Sequence, residues 1–226
     1  VGSFFAFSTA APNAQDGILI TSIRGNTTIR TNVFSGNIGN GIHLTGNATG
    51  VTIDPNVVGA STFGDSALPN GGHGVLLGGN ANNNFIGGFE NQTPSVIPRN
   101  LFSANGGYGL VIADQANNNT VINSQLGGGF NTDLPLGNSL GGLLITGQAF
   151  NNIIGGFPTG GVSDDPQAIA KNNNGSGFVL STTGIGNQFI SNLAENNGGG
   201  GFTVIGSNGN TLVGNESLTN DGYGYS

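Results

Sequence analysis

Few side chains in this sequence could do chemistry. Its imidazoles are His43 and His73, and its cations are Arg24, Arg30, Arg99 and Lys171. Eleven acidic residues are scattered along the chain, with one adjacent pair, Asp164-Asp165, followed by Pro166. Paired carboxylates serve as general acid and base only at a defined separation and in contrasting surroundings. A catalytic reading would therefore combine Asp164 and Asp165 with Lys171 as the candidate base. The alternative is a solvated acidic loop. His43, between Ile42 and Leu44, alternates outward on a short strand and is expected in solvent. His73 directly precedes a glycine and is expected at a corner. With no carboxylate cluster near them in sequence, the two histidines make a poor metal site, and neither metal nor cofactor is expected. Arg24 and Arg30 read as an exposed basic pair.

These residues are positioned by a repeat. Glycine followed by apolar-x-apolar recurs at Gly17, Gly41, Gly74, Gly109, Gly142, Gly177 and Gly201, and Gly224-Tyr225 opens another copy. The intervals are 24, 33, 35, 33, 35, 24 and 23 residues. A second apolar patch follows about twelve residues after each anchor glycine, as in Asn84-Phe85-Ile86, Asn119-Thr120-Val121 and Asn152-Ile153-Ile154. A third follows in turn, as in Asn32-Val33-Phe34, Asn100-Leu101-Phe102 and Asn192-Leu193. Three short strands per repeat, bounded by Gly and Asn, read as the three faces of a coil. Nothing holds a 3.6-residue period long enough for a helix. The expectation is an all-β, right-handed, three-faced parallel β-helix of about eight to nine coils, roughly 40 Å long at ~4.8 Å per coil. Equivalent asparagines can then stack as amide ladders along the axis.

The longer repeats carry about ten extra residues. In the Gly41 and Gly109 repeats the excess follows the third strand, at 60–69 and 128–137. In the Gly74 and Gly142 repeats it lies between second and third strands, at 89–98 and 157–168. Insertions therefore alternate between two edges, each with two loops two coils apart. The loops hold Phe63, Phe89, Phe130 and Phe157, together with Asp65, Glu90, Asp133, Asp164 and Asp165. Insertions in repeat proteins often form a binding face, and these nine residues are the candidate binding set. The competing reading folds each phenylalanine back over its own coil.

The run Asn84-Phe85-Ile86-Gly87-Gly88, followed by Arg99-Asn100-Leu101-Phe102-Ser103-Ala104-Asn105-Gly106-Gly107-Tyr108-Gly109-Leu110-Val111-Ile112, resembles the "NxIGG…rNvISgNggyGvxI" pattern of bacterial right-handed parallel β-helix repeats. Asn152-Ile153-Ile154-Gly155-Gly156 repeats its first half, with Ala170-Lys171-Asn172 in place of Arg-Asn. Asp65 to Asn70 and Asp133 to Asn138 are similar to the alternating "D…LGN" loop. The resemblance covers roughly residues 17 to 223. It implies secreted or surface-anchored bacterial proteins, whose pectate-lyase-like relatives include polysaccharide lyases, hydrolases and epimerases.

Composition narrows the partners. Charged residues are 7% of the chain and the formal net charge is −7, so there is no basic stripe for nucleic acid and no attraction to anionic membrane. Cysteine is absent, which excludes a disulfide framework. No apolar run approaches a membrane span. The sequence fits an extracellular or cell-surface structural or adhesive protein without catalysis. Its expected partners are copies of itself end to end, surface glycans, or both. The alternatives are a carbohydrate-active β-helix and a glycan-binding module. Residues 1–226 read as one β-helix domain. Val1 to Phe7 is apolar and Gly224-Tyr225-Ser226 starts a further strand, so coils are expected to continue past both ends, in a longer chain or a head-to-tail filament.

Overall fold

A computed structural model describes residues 12–87, 99–130, 134–156 and 168–226. The first strand of each coil is Ile18–Thr21, Ile42–Thr45, Val75–Leu77, Tyr108–Ile112, Gly141–Gly147, Ser176–Thr182 and Phe202–Val204, which defines coils one to seven. Second strands run from Arg24–Ile29 to Thr211–Val213, and third strands from Val33–Phe34 to Glu216–Leu218. Each set forms its own seven-stranded parallel sheet, in order of sequence. No helix occurs among the described residues. The result is a right-handed, three-faced β-helix of seven coils. Tyr225 bridges Phe202 and opens the next coil. Seven coils are complete among the described residues, against the eight to nine expected for the whole sequence, and Val1 to Phe7 lies outside the described residues.

Side chains one coil apart in register stack into columns. On sheet one the inward column is Ile18, Ile42, Val75, Leu110, Leu143, Phe178 and Phe202. On sheet three it is Phe34, Val58, Phe102, Leu126, Ala170, Ala194 and Ser217. The two columns trade volume along the axis. Where sheet three shrinks to alanine and serine, sheets one and two grow to Phe178, Phe189 and Phe202. Phe178 and Phe202 lie parallel with centroids 4.9 Å apart, and Phe189 meets Phe178 edge-on at 5.9 Å. Constant cross-section at crystal-like density requires such compensation.

The anchor glycines are needed for close approach. A Cβ on Gly41 would lie 2.2 Å from Val58 Cγ1, and one on Gly142 would lie 2.4 Å from the Gly177 carbonyl oxygen and 2.7 Å from Ala170 Cβ. The first strand enters so near the third strand of its own coil that only hydrogen fits there.

Asparagine closes the three corners. Before sheet one, Asn13, Asn37, Asn70, Asn105, Asn138, Asn173, Asn197 and Asn220 form an unbroken ladder with amide bonds of 2.8–3.0 Å. Each rung donates Nδ2–H to the Oδ1 of the next coil's asparagine. The backbone N–H of Asn37, Asn105, Asn138, Asn173 and Asn197 donates to the same oxygen. A second ladder leads sheet two from Asn84 through Asn119, Asn152 and Asn187 to Asn210. Thr27 and Val51 hold the earlier positions, so Asn26 is no rung. The third ladder, before sheet three, is interrupted. Asn32, Asn56 and Asn100 reach Ser124, and the asparagines resume at Asn192 and Asn215.

Register corrects one sequence alignment. Asn100 sits opposite Ser124 and Ser124 opposite Ala168, so the counterpart of Asn100 is Ala168 and not Asn172. The long insertion before Ala168 displaced the apparent match.

Asn138 is fully buried and donates to Asn173 and to the Phe102 carbonyl, while its Oδ1 accepts from the Asn105 N–H and amide. Replacing it by alanine strands several buried partners. Asn138→Ala is expected to cost on the order of 2–4 kcal/mol in urea unfolding. The exposed Asn208→Ala should stay within about 0.5 kcal/mol.

Candidate functional site

The insertion 60–69 is described throughout and the insertion 128–137 at 128–130 and 134–137, and both follow a third strand as expected. The loop after Val57–Val58 turns back on itself through the Ala60–Ala67 antiparallel bridge and bonds from Ser61 N–H to Ser66 O and from Leu68 N–H to Gly59 O. Ser61 Oγ donates to Asp65 Oδ1 at 2.5 Å. That bond holds the Asp65 carboxyl below the usual carboxylate range, slight burial opposing it and Ser66 assisting. The loop following Ser124–Leu126 lies against the first one, two coils on. A Cβ on Gly64 would strike Leu101 and Phe130, and one on Gly129 would lie 2.6 Å from the Gly64 carbonyl oxygen.

The two phenylalanines have opposite fates. Phe130 packs with Val33 and Leu136 on a small core of Val57, Ala60 and Leu101, covering the outer side of sheet three. Phe63 is 55% exposed and stands beside Asp65. The binding reading therefore retains Phe63 and Asp65, while Phe130 has the structural role. Phe89, Glu90, Asp133, Phe157, Asp164 and Asp165 lie outside the described residues. Lys171 is only 9% exposed, and its alkyl stem crosses Gly128. A stem laid along backbone in this way leaves the ammonium to reach outward.

A second cluster lies on the outer side of sheet one, where sequence reasoning placed isolated histidines. Asp16, Asn40, His73 and Tyr108 each precede an anchor glycine and stack in a column. Asp16 Oδ1 accepts the Asn40 N–H at 2.6 Å, Asn40 Oδ1 accepts the His73 N–H at 2.8 Å, and His73 Nδ1 accepts the Tyr108 N–H at 3.0 Å. This is a fourth ladder of mixed residues. Here the earlier coil accepts, the reverse of the asparagine ladders. The signal was in the sequence, since all four residues share the anchor-glycine spacing. Their unlike side chains concealed it.

His43 is not the solvent-facing imidazole expected from strand alternation. Its Nδ1 lies 2.8 Å from Asp16 Oδ2, one coil away in space and 27 residues away in sequence. The carboxylate accepts, so Nδ1–H is the donor of this bond and Nε2 points away from Asp16. Nε2, Thr45 Oγ1 and Asp114 Oδ2 all lie within 4 Å of the point a Cβ would occupy on Gly78. Asp114 is held there by accepting the Gly79 N–H at 2.7 Å. Burial alone would raise the Asp16 carboxyl. The Asn40 N–H, the His43 ring and the Asn40 amide outweigh it, leaving Asp16 below 3.8. Arg30 approaches Asp54 at 3.9 Å, a partly exposed pair of small energetic weight. An imidazole oriented in this way near a hydroxyl and a carboxylate can bind a hydroxyl group or accept its proton. Among the described residues, no three His, Cys, Asp or Glu side chains gather to hold a metal.

His73 gives this column a pH dependence. Burial pushes its imidazole below the ordinary 6.5, and Nδ1 must stay unprotonated to accept the Tyr108 N–H. Between the folded pKa and 6.5 the unfolded chain binds more protons, so stability rises with pH across that window. The contribution of His73 is complete above pH 6.5 and lost as pH falls through the folded value. His73→Asn supplies an amide oxygen that does not titrate, as Asn40 does one coil earlier. Its unfolding free energy is expected to lose the pH slope in that window, as read by urea titrations at successive pH values.

The family model described as the right-handed β-helix region matches residues 8–157. Searches of curated proteins and of solved structures give no match. The matched span covers more than half of the sequence, and its coils carry the three parallel sheets and asparagine corners described above. The chain belongs to the right-handed β-helix family.

Proposed function

We propose that this chain is a non-catalytic extracellular structural or adhesive β-helix, a stalk or adhesin segment that meets surface glycans through its loops. One observation supports the reading: among the described residues, Asp16 and both histidines are engaged in bonds that hold coil to coil. Asp16 bonds Asn40 and His43, and His73 accepts from Tyr108. The buried asparagines of the three corners, which could otherwise line a site, are rungs. Low charge and absence of cysteine suit an extracellular solenoid held by ladders and core alone. Phe63 beside Asp65 offers an exposed ring that can stack on a sugar face, with a carboxylate for its hydroxyls.

A second reading, a carbohydrate-active β-helix, is favoured by the surroundings of Gly78, where His43 Nε2, Asp114 Oδ2 and Thr45 Oγ1 all lie within 4 Å of the point a Cβ would occupy, His43 being bonded to Asp16 and in register with Leu76, Val111 and Leu144.

Incubation with uronate and neutral polysaccharides, with and without Ca²⁺, separates the two. The structural reading expects no unsaturated product and no loss of polymer length. Either one, abolished by His43→Gln, would establish the second reading instead. On immobilised glycans, Phe63→Ala is expected to lower retention by about tenfold, the loss of one stacking contact of ~1–1.5 kcal/mol. Its unfolding midpoint should be unchanged, because the ring buries little.

A further inference from the structure

Six asparagines directly precede a glycine: Asn40, Asn70, Asn105, Asn174, Asn197 and Asn208. In this pair the asparagine amide is open to attack by its own main chain, because glycine has no Cβ to hinder its nitrogen and the widest backbone freedom. The glycine nitrogen bonds to the asparagine Cγ. The side-chain NH₂ leaves as ammonia with the proton of the glycine nitrogen, and a succinimide ring remains. Water then opens the ring. Breaking the Cγ–N bond gives aspartate, and breaking the bond from nitrogen to the original carbonyl carbon gives isoaspartate. Closure needs a free glycine nitrogen, an amide that can turn towards it, and free torsions between them.

The fold treats the six pairs unequally. Asn70, Asn105 and Asn197 are buried rungs, each with Oδ1 accepting from one neighbouring coil and Nδ2 donating to the other. Their glycine nitrogens are engaged as well. Gly71, Gly106 and Gly198 each donate N–H at 2.8 Å to the carbonyl of the preceding rung, Asn37, Asn70 and Asn173. Asn40 is held likewise in the mixed ladder: its amide donates to Asp16, its Oδ1 accepts from His73, and Gly41 N–H donates to the His73 carbonyl at 3.0 Å. Attacking nitrogen and target amide are thus bonded separately, and neither reaches the other without breaking a ladder. Asn174 and Asn208 are exposed and are not rungs. Among the described residues, no hydrogen bond holds either side-chain amide or the N–H of Gly175 and Gly209.

We propose that Asn174 and Asn208 are sites of spontaneous deamidation in the folded protein, and that the ladders keep the other four Asn-Gly pairs as amides. The ladders then have a chemical role besides a structural one: they preserve the residues they are built from. Converting both exposed sites takes the formal net charge from −7 to −9 and leaves every rung in place. Isoaspartate also lengthens the main chain by one carbon. At Asn174 that carbon falls between the rung Asn173 and the strand Ser176–Thr182, and at Asn208 between the strand Phe202–Val204 and the rung Asn210. None of this depends on what the loops bind.

Incubation of the purified chain at mildly alkaline pH, where the glycine nitrogen loses its proton more readily, tests the proposal. Peptide mapping by mass spectrometry with electron-transfer fragmentation reads each asparagine and separates aspartate from isoaspartate. The same incubation in guanidinium chloride supplies the unfolded reference, in which all six pairs should convert at rates within a few-fold of one another. In the folded chain, Asn174 and Asn208 should stay within about tenfold of that reference. Asn40, Asn70, Asn105 and Asn197 should slow by more than about a hundredfold, since they react only when coils open. Guanidinium below the unfolding transition should accelerate these four and leave the exposed pair unchanged. Conversion of Asn70 or Asn105 as fast as Asn208 in the folded chain would overturn the protective role of the ladders. Conversion of Asn174 or Asn208 as slow as that of the rungs would overturn the assignment of the sites.

Discussion

The structure depends on one hydrogen-bonding constraint: wherever the backbone turns a corner inside the solenoid, its N–H needs an acceptor at the height of the next coil. Asparagine answers it with a single oxygen that accepts the backbone and the amide of the preceding rung, while its own Nδ2 returns to a core carbonyl, as Asn138 does to Phe102. Leaving such groups buried and unpaired would cost about 1–3 kcal/mol each. With three corners per coil, that sum exceeds the few kcal/mol by which a domain is stable. The ladders therefore set the axial spacing and orientation of the coils, and the apolar columns fill the section so defined.

This division of labour explains why the coils tolerate insertions. Rung-to-rung separations of 24, 33 and 35 residues produce the same bond, because the added residues fall between strands in the sequence, after the third strand at 60–69 or between the second and third strands at 89–98. The inserted loop 60–69 does not hang free. With Phe130 and Leu136 it covers the outer side of sheet three over Val57 and Leu101. The third ladder shows the limit of the rule. At Ser124 and Ala168 it lacks the amide, yet the Ala168 N–H still finds Asn192 Oδ1 at 3.1 Å. At Ala168 the backbone N–H donor is thus kept where the side-chain amide, donor and acceptor alike, is lost. On sheet one, the outer column from Asp16 to Tyr108 does the same work with mixed chemistry, and it aligns His43 against Asp16 as a by-product of stacking.

The fold was legible because its determinants repeat. Gly-apolar-x-apolar at seven anchors and asparagine at the corners are periodic, so strand order, the parallel sheets and the insertion edges followed from spacing alone. What periodicity could not supply was pairing between unlike residues. Asp16 and His43 are 27 residues apart and occupy different columns, so their contact exists only once coils stack and an imidazole reaches diagonally. Phe63 and Phe130 looked equivalent in sequence. Loop backbone at Gly64, which covers one ring and not the other, made them different. Ala168 was misaligned because identity at Asn172 outweighed register. The anchor glycines were visible, but the absence of room for a Cβ at Gly41 follows only from Val58 in three dimensions.

Hydrogen exchange of the asparagine side chains tests the central claim most directly, because it reads the rungs without altering them. The Nδ2 protons of Asn105, Asn138 and Asn152 are each bonded within the buried ladders. They should exchange only through global unfolding, with the same free energy and urea dependence as the amides of Leu110 and Leu143. Exchange of these protons at the rate of the exposed Asn208, while the strand amides stay protected, would contradict the account. It would mean that the columns hold the coils and the ladders merely decorate them.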